Sequence, residues 1–171
     1  MALATMEWPL SELAKSCVDY AAGLDIFLEN TAREHSIRDS IEELISLSKV
    51  LFALHQGLGH ARYGRNISLI RHDLDAVVRS LKYTFDDVKK MFADTRFTHS
   101  DGSVPYRSLW EGMNHQLTKN EGINLHGRLE RYNKFLEGLI DALKGYAFSW
   151  ASSLALLLIC LGNLPCQRWL C

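Results

Sequence analysis

The position of the charged residues constrains this chain more than any other feature of its sequence. Of its 19 basic and 20 acidic side chains, only Arg168 lies after Lys144. The 23 residues from Gly145 to Gln167 carry no charge at all. We therefore predict two parts: a charged domain, residues 1–144, and an apolar tail, residues 145–171.

The charged domain has the sequence pattern of a helical protein. Its apolar residues recur at steps of three and four, the period of an amphipathic helix. Five segments show this period, at about 10–30, 36–58, 67–93, 106–117 and 125–143. No alternation of period two is long enough to predict a strand. We predict an all-α fold, a helical bundle of about five helices, followed by a C-terminal apolar helix in the tail.

The same pattern predicts helix ends, core positions and surface ion pairs. Ser36, or Asp39 with Ser40, is expected to cap the second helix. The turn Asn120-Glu121-Gly122 is expected to close the fourth helix, and Gly145 to end the fifth. Ile45 and Phe135 fall on apolar stripes and are expected in the core. Residues of opposite charge four apart on the third helix predict ion pairs between Asp75 and Arg79 and between Asp86 and Lys90.

The apolar tail has the composition and length of a membrane-spanning helix. Residues 154–161 read LALLLICL. A helix over residues 146–164 would be about 28 Å long at ~1.5 Å per residue, close to the ~30 Å hydrocarbon core of a bilayer. Aromatic residues at one end, and Arg168 with Trp169 at the other, are typical of interface anchors. The candidate membrane segment comprises Tyr146, Trp150, Leu154, Leu158, Leu161 and Leu164.

Two other interpretations of the tail stay open. Three serines, at positions 149, 152 and 153, dilute its first half, and residues 162–165 read as a helix stop. The tail is therefore also compatible with an apolar helix packed on the bundle. An aberrant C-terminus, such as a translated intron, would equally produce an abrupt loss of charge.

The N-terminus and the cysteines predict a cytoplasmic location. Residues 1–15 lack the basic start and the long apolar run of a secretory signal, and they contain Glu7 and Glu12. If the tail is an anchor, the protein is tethered to a membrane with its charged domain in the cytosol. The four cysteines contain no CxxC pair and predict neither a zinc site nor a catalytic dithiol.

No catalytic, cofactor-binding or metal-binding residue can be assigned from the sequence. The motifs HExxH and GxSxG do not occur, and the paired carboxylates lie on amphipathic helices. A net charge of −1 argues against a general nucleic-acid binder. We expect a protein partner or self-association, with no cofactor and no small-molecule substrate. A helical-bundle enzyme would need polar side chains that meet in a cavity, for instance Glu130, His126 and His115.

A pattern in the second half of the charged domain resembles a known group of domains. Over about residues 36–144 the chain is similar to uncharacterised helical domains of filamentous fungi. Those domains are loosely similar to the fungal N-terminal domain of signal-transduction NTPases of the STAND type. The residues that carry the resemblance are Asp73, Leu74, Ser80, Leu81, Thr84, Asp87, Val88, Met91, Phe92, Trp110, Glu121, Gly122, Leu125, Arg128, Leu129, Tyr132, Asn133, Phe135 and Leu136.

The resemblance implies a helical interaction or signalling module without catalytic residues, usually followed by a further region. Here only the apolar tail follows Gly145. The leading expectation is a non-enzymatic interaction module of fungal type, tethered by that tail. The alternative is a membrane-active helical protein whose bundle masks the tail until a trigger releases it.

Overall fold

The fold of the described residues is all-α, as predicted. The computed structural model describes residues 8–31, 34–59, 67–95 and 105–162, with residues 145–162 described as main chain only. No strand occurs among these residues. The helices are α1 (Leu10–Asn30), α2 (His35–Gly59), α3 (Ile67–Asp94), α4 (Tyr106–Glu121) and α5 (Leu125–Gly162).

The bundle is organised around α2. This helix packs along α1, to which a short connection joins it, and on its other side along α5, while α3 contacts α1, α4 and α5. The buried residues of α2 alternate steps of three and four, a spacing that favours shallow crossing between neighbouring helices. They are Ile37, Ser40, Leu44, Leu47, Leu51 and Leu54.

Aromatic side chains join α1 to α3 and α4. The ring of Phe27 lies 5.0 Å from that of Tyr106, nearly perpendicular to it, and 5.6 Å from that of Phe92. Tyr20 similarly contacts Phe85, with ring centroids 5.1 Å apart. Gly23 permits this close packing, because a Cβ at that position would lie 2.6 Å from the Phe92 ring. The three helices are thereby held in one register.

The predicted helix ends are correct at α4 and wrong at α5. Gly122 terminates α4 in the left-handed region, at φ 75°, and its N–H donates to the carbonyl of Thr118. Gly145 does not end a helix, because α5 continues through it to Gly162 as one helix of 38 residues. The fifth predicted helix and the tail helix are therefore a single element.

The predicted cap of α2 and two predicted core positions are also wrong. The helix begins at His35, so Ser36 lies in its first turn, where its hydroxyl donates to Glu34 Oε1. Ile45 and Phe135 are 42% and 43% exposed, because their neighbours on the three-four spacing occupy the core instead. The predicted apolar stripes were thus too wide.

Neither predicted ion pair on α3 forms as expected. Lys90 Nζ lies 3.2 Å from Asp87 Oδ1, one turn away, instead of pairing with Asp86. Arg79 Nε donates to the main-chain carbonyl of Asp75, while the carboxylate of Asp75 accepts the indole N–H of Trp8 at 2.5 Å. Asp75 therefore ties the start of α1 to α3 instead of serving a surface pair.

Candidate functional site

The predicted membrane segment falls on the second half of α5. Tyr146, Trp150, Leu154, Leu158 and Leu161 lie on this helix, in the stretch described as main chain, and Leu164 lies outside the described residues. Where side chains are described, the structure contains no helix long and apolar enough to cross a bilayer.

A buried polar cluster fixes the register of α3 against α5. Tyr132 Oη lies 2.7 Å from Ser80 Oγ and 3.0 Å from Thr84 Oγ1. Arg128, which is 5% exposed, donates to Thr84 Oγ1 at 3.5 Å and to the carbonyl of Leu117 at 3.3 Å. These contacts make α3 and α5 antiparallel, because the residue numbers rise in opposite directions.

The antiparallel register shows which residue of α5 is level with the first described residue of α3. Both helices rise by the same ~1.5 Å per residue. Thr84 contacts Arg128, so these two residues are level with each other. Gly145 lies as many residues after Arg128 on α5 as Thr84 lies after Ile67, the first residue of α3. The described start of α3 is therefore level with Gly145, to within about one helical turn.

The contact between α2 and α5 places the last described residue of α2 at a similar level along α5. Asn133 Nδ2 donates to the carbonyl of Glu43 at 3.0 Å and to Glu43 Oε2 at 2.5 Å. The two helices run parallel, since residues nearer their starts also approach one another. Counting forward from this pair places Gly59, the last residue of α2, level with Ser149. The described parts of α2 and α3 thus extend along α5 to about the level at which the charged residues end.

A cavity of about 280 Å³ lies at the opposite end of the bundle. Most of its lining residues are polar, and we name it the polar cavity. It lies between the first turns of α2 and α5 and the middle of α4. Its lining residues are Glu34, Ser36, Ser40, Trp110, Glu111, Asn114, Asn124 and His126.

A chain of hydrogen bonds orders one wall of the polar cavity. The indole N–H of Trp110 donates to Ser36 Oγ at 3.2 Å, and that hydroxyl donates to Glu34 Oε1 at 2.9 Å. The hydroxyl of Ser40 donates to the carbonyl of Ser36 at 2.8 Å. Glu34 Oε2 is buried and has no hydrogen-bond partner. The wall therefore presents a carboxylate oxygen whose acceptor capacity is unused.

The opposite wall is the capped start of α5. Asn114 Oδ1 accepts the N–H of Leu125, and Asn124 Oδ1 accepts that of Gly127, each at 3.0 Å. These bonds occupy the first N–H groups of the helix, as an asparagine cap does. They hold His126 against the cavity, where its Nδ1 is buried and has no hydrogen-bond partner.

A second cavity of about 280 Å³ is a groove between α3 and α4. Met91, Met113 and Leu117 form its floor, and Asp87 and Lys90 lie at its edge. These two charged groups already pair with each other at 3.2 Å. Asp94, which also lines the groove, is exposed to solvent, so the described residues that line the groove include no buried charge without a partner.

The side chains required by the enzyme hypothesis do not meet in a cavity. Of the three, only His126 lines the polar cavity, whereas His115 is exposed on α4. Glu130 accepts a hydrogen bond from Lys134 Nζ at 2.5 Å on the surface of α5. This bond, with the charge of Lys134, lowers the pKa of Glu130 below its usual range.

Cys17 and the possible metal ligands were the remaining candidates for chemistry in the described part of the chain. Burial raises the pKa of the Cys17 thiol to about 12, so at neutral pH it is not a nucleophile. Within the described residues, no three side chains of His, Cys, Asp or Glu are grouped so that they could hold a metal ion. The cysteines of the tail lie beyond the described side chains.

Comparison of the chain with protein-family models, with curated proteins and with solved structures gave no significant match. The resemblance to fungal helical domains therefore stays a prediction. Several residues that carry it, including Leu74, Leu81, Val88, Leu129 and Leu136, are buried in the core. They specify helix packing, which many unrelated bundles share.

The sequence did not predict the polar cavity. Glu34 and His126 are far apart in the chain, and no motif connects them. The only local signals were polar residues immediately before two helices, Glu34 before α2 and Asn124 before α5. Such residues are expected as helix caps in any case, so their meeting across α4 follows only from the packing.

Proposed function

We propose that this protein is a non-enzymatic helical interaction module that its C-terminal apolar segment, residues 146–164, attaches to a membrane. One observation carries the proposal. The charges end at Lys144, and the described neighbours of α5 end level with Gly145 and Ser149. The helix itself continues to Gly162. An uncharged helical stretch therefore follows directly on the charged part of α5.

The free energy of removing that segment's apolar side chains from water supports a lipid environment. Residues 154–161 include five leucines and one isoleucine. Removing each such side chain from water contributes about 1.5–3 kcal/mol, so the six together favour an apolar environment by roughly 10 kcal/mol or more. A continuous helix through Gly145 also favours projection from the bundle over folding back, since folding back needs a turn.

The exposed apolar side chains of the bundle support a role in protein interaction. Large apolar residues at least 40% exposed lie mostly on α1, α2 and α5, which pack side by side. On these helices they are Val18, Ile26, Ile45, Phe52 and Phe135. Single exposed apolar residues are ordinary, and those on neighbouring helices mark the positions at which a partner could add apolar contacts. The proposed partner is a protein, either a different chain or a second copy.

Cell fractionation with full-length chains tests the attachment. The wild-type protein is expected to remain in the membrane fraction after a carbonate wash. The double variant Leu154→Lys and Leu158→Lys is expected in the soluble fraction, because each central lysine costs about 2.5–3.5 kcal/mol of insertion energy. The control Tyr83→Lys places a lysine on α3, at a position that is 70% exposed and outside the exposed apolar residues of α1, α2 and α5, and is expected to stay with the membrane.

The alternative outcomes are distinct. A wild-type protein that washes off with the double variant contradicts the anchor. A protein that is soluble at rest but enters membranes after a stimulus supports the masked, membrane-active alternative instead. A double variant that stays in washed membranes shows that another part of the chain holds it there.

A further inference from the structure

The polar cavity contains a buried carboxylate oxygen that no donor of the described residues satisfies. The indole proton of Trp110 and the hydroxyl protons of Ser36 and Ser40 are all engaged within the protein. The side-chain amide of Asn114 donates to the carbonyl of Trp110 at 3.2 Å. Glu34 Oε2 and His126 Nδ1 are buried and lack partners. A ligand that completes the site must therefore supply N–H or O–H groups.

The charge of the cavity favours a cation. Its charged lining groups are the carboxylates of Glu34 and Glu111, and neither a lysine nor an arginine is among the described residues that line it. Glu111 is exposed and lies 3.5 Å from Arg107 Nε, so Glu34 is the principal charge inside. An anion would face this carboxylate.

The two helix N-termini at the cavity do not reverse this preference. Free N–H groups at a helix start attract anions. Here the N–H groups of Ile37 and Arg38 point to the carbonyl of Glu34. Those of Leu125 and Gly127 are taken by asparagine side chains. These four N–H groups are therefore not available to an anion.

We propose that the polar cavity binds the ammonium group of a primary amine, carried by a free alkylamine or by a lysine side chain of a protein. An ammonium group has three N–H donors and no acceptor, the complement of this site. It would donate to Glu34 Oε2 and to a serine oxygen, with His126 Nδ1 at the opposite wall as a third acceptor in the tautomer that carries its proton on Nε2. The volume of about 280 Å³ admits one such head group with a short alkyl chain. This proposal is independent of membrane attachment.

Nuclear magnetic resonance titration of the full-length protein tests the proposal. The probes are n-butylammonium chloride and lysine blocked at its amino and carboxyl ends. The reporters are the indole N–H of Trp110 and the main-chain N–H of Gly127, which lie on opposite walls. Saturable shifts of both reporters are expected with butylammonium. Saturation by both probes assigns the site to lysine side chains, and saturation by butylammonium alone assigns it to free amines.

Neutral and quaternary analogues test the chemistry of recognition. Neither n-butanol, which lacks the charge, nor tetramethylammonium, which lacks N–H donors, is expected to saturate the reporters. Equal shifts with either analogue overturn the proposal. So does the lack of any saturable shift with butylammonium.

Variants test which residue recognises the amine. Glu34→Gln keeps the shape of the side chain and removes its charge, and we expect it to raise the dissociation constant at least about tenfold, since bonds to charged groups are the stronger ones. The control Glu137→Gln removes a charge from an exposed position of α5 outside the cavity and should leave the constant unchanged. An unchanged constant in a folded Glu34→Gln protein overturns the proposal.

If Glu34→Gln does not fold, Ser36→Ala provides the second test. It keeps the carboxylate but removes the hydroxyl that positions Glu34 Oε1. We expect weaker butylammonium binding by several-fold. Undiminished binding by this variant, with the protein folded, also counts against the assignment.

Discussion

The hydroxyl of Tyr132 tests the contact between α3 and α5, from which the level of Gly145 is derived. It lies 2.7 Å from Ser80 Oγ and 3.0 Å from Thr84 Oγ1, on a residue that is 9% exposed. Tyr132→Phe removes the hydroxyl and keeps the ring. Two hydrogen bonds of about 0.5–1.5 kcal/mol each are lost, so the free energy of unfolding should fall by about 1–3 kcal/mol.

The upper end of this range is not expected. The hydroxyls of Ser80 and Thr84 lie on a helix and can turn to carbonyl groups of the preceding turn, which partly replaces the lost partner. Thr84→Val removes the contact between Tyr132 and Thr84 from the other side, together with the contact of Arg128 with Thr84 Oγ1. If both changes remove one shared interaction, the double variant should be less destabilised than the sum, by about 0.5–1.5 kcal/mol.

Equilibrium urea unfolding of the full-length protein, followed by circular dichroism, measures these differences. Tyr83→Phe is the matched control, because Tyr83 lies on α3 and is 70% exposed. It should change the free energy of unfolding by less than about 0.5 kcal/mol. If Tyr132→Phe is no more destabilising than this control, the register of α3 against α5 is wrong, and the argument about Gly145 is wrong with it.

Two further predictions concern local conformation and titration. Gly122→Ala should destabilise the protein by about 1 kcal/mol or more, because φ is 75° there. Gly138→Ala, in α5 with open space around it, should stabilise it by up to about 1 kcal/mol, and thermal unfolding compares the two. Cys17 should resist alkylation in the folded protein and react in urea, as mass spectrometry of its peptide would show. The pKa of Cys17 in the folded protein, about 12, exceeds the ordinary 9.0, so the contribution of Cys17 to stability is complete below pH 9.0 and declines toward pH 12. The Cys17→Ala variant should lack this contribution to the loss of stability. An identical loss in the variant would contradict the raised pKa of Cys17.

The period of the apolar residues predicted the helices. It did not predict the width of their apolar stripes or all of the helix ends. Three-four spacing is a local property that each segment carries by itself, so α1 to α4 were found close to their actual bounds. Whether a residue at the edge of a stripe is buried depends on the neighbouring helix. Ile45 and Phe135 face outward because Leu44 and Leu136 take the inner positions.

The glycines show a similar limit. A glycine inside a helix costs only about 1 kcal/mol relative to alanine, which flanking helix-forming residues readily offset. Gly122 ends α4 because its positive φ directs its N–H to the carbonyl of Thr118. Gly145 lies between Lys144 and a run of apolar residues that continue the helix. The sequence marks both glycines as candidate stops and does not distinguish them.

The polar cavity was harder to predict from the sequence than the helix ends. Glu34, Trp110 and His126 belong to three separate helical regions, and each is an ordinary residue in its own segment. Only the packing of α4 across the starts of α2 and α5 brings them to one space. The charge boundary at Lys144, by contrast, was visible at once, and the structure adds that the described neighbours of α5 end near the same level.

Hydrogen exchange of the main-chain amides of residues 146–162 tests the central claim most directly. The full-length protein is measured with and without phospholipid vesicles. Amides of a helix that leaves the bundle and enters lipid should exchange rapidly in buffer and become protected when vesicles are added, while those of α2 and α3 stay unchanged. Equal exchange in both conditions contradicts the account: slow exchange throughout would mean that the segment packs on protein, and rapid exchange throughout that it does not attach to lipid.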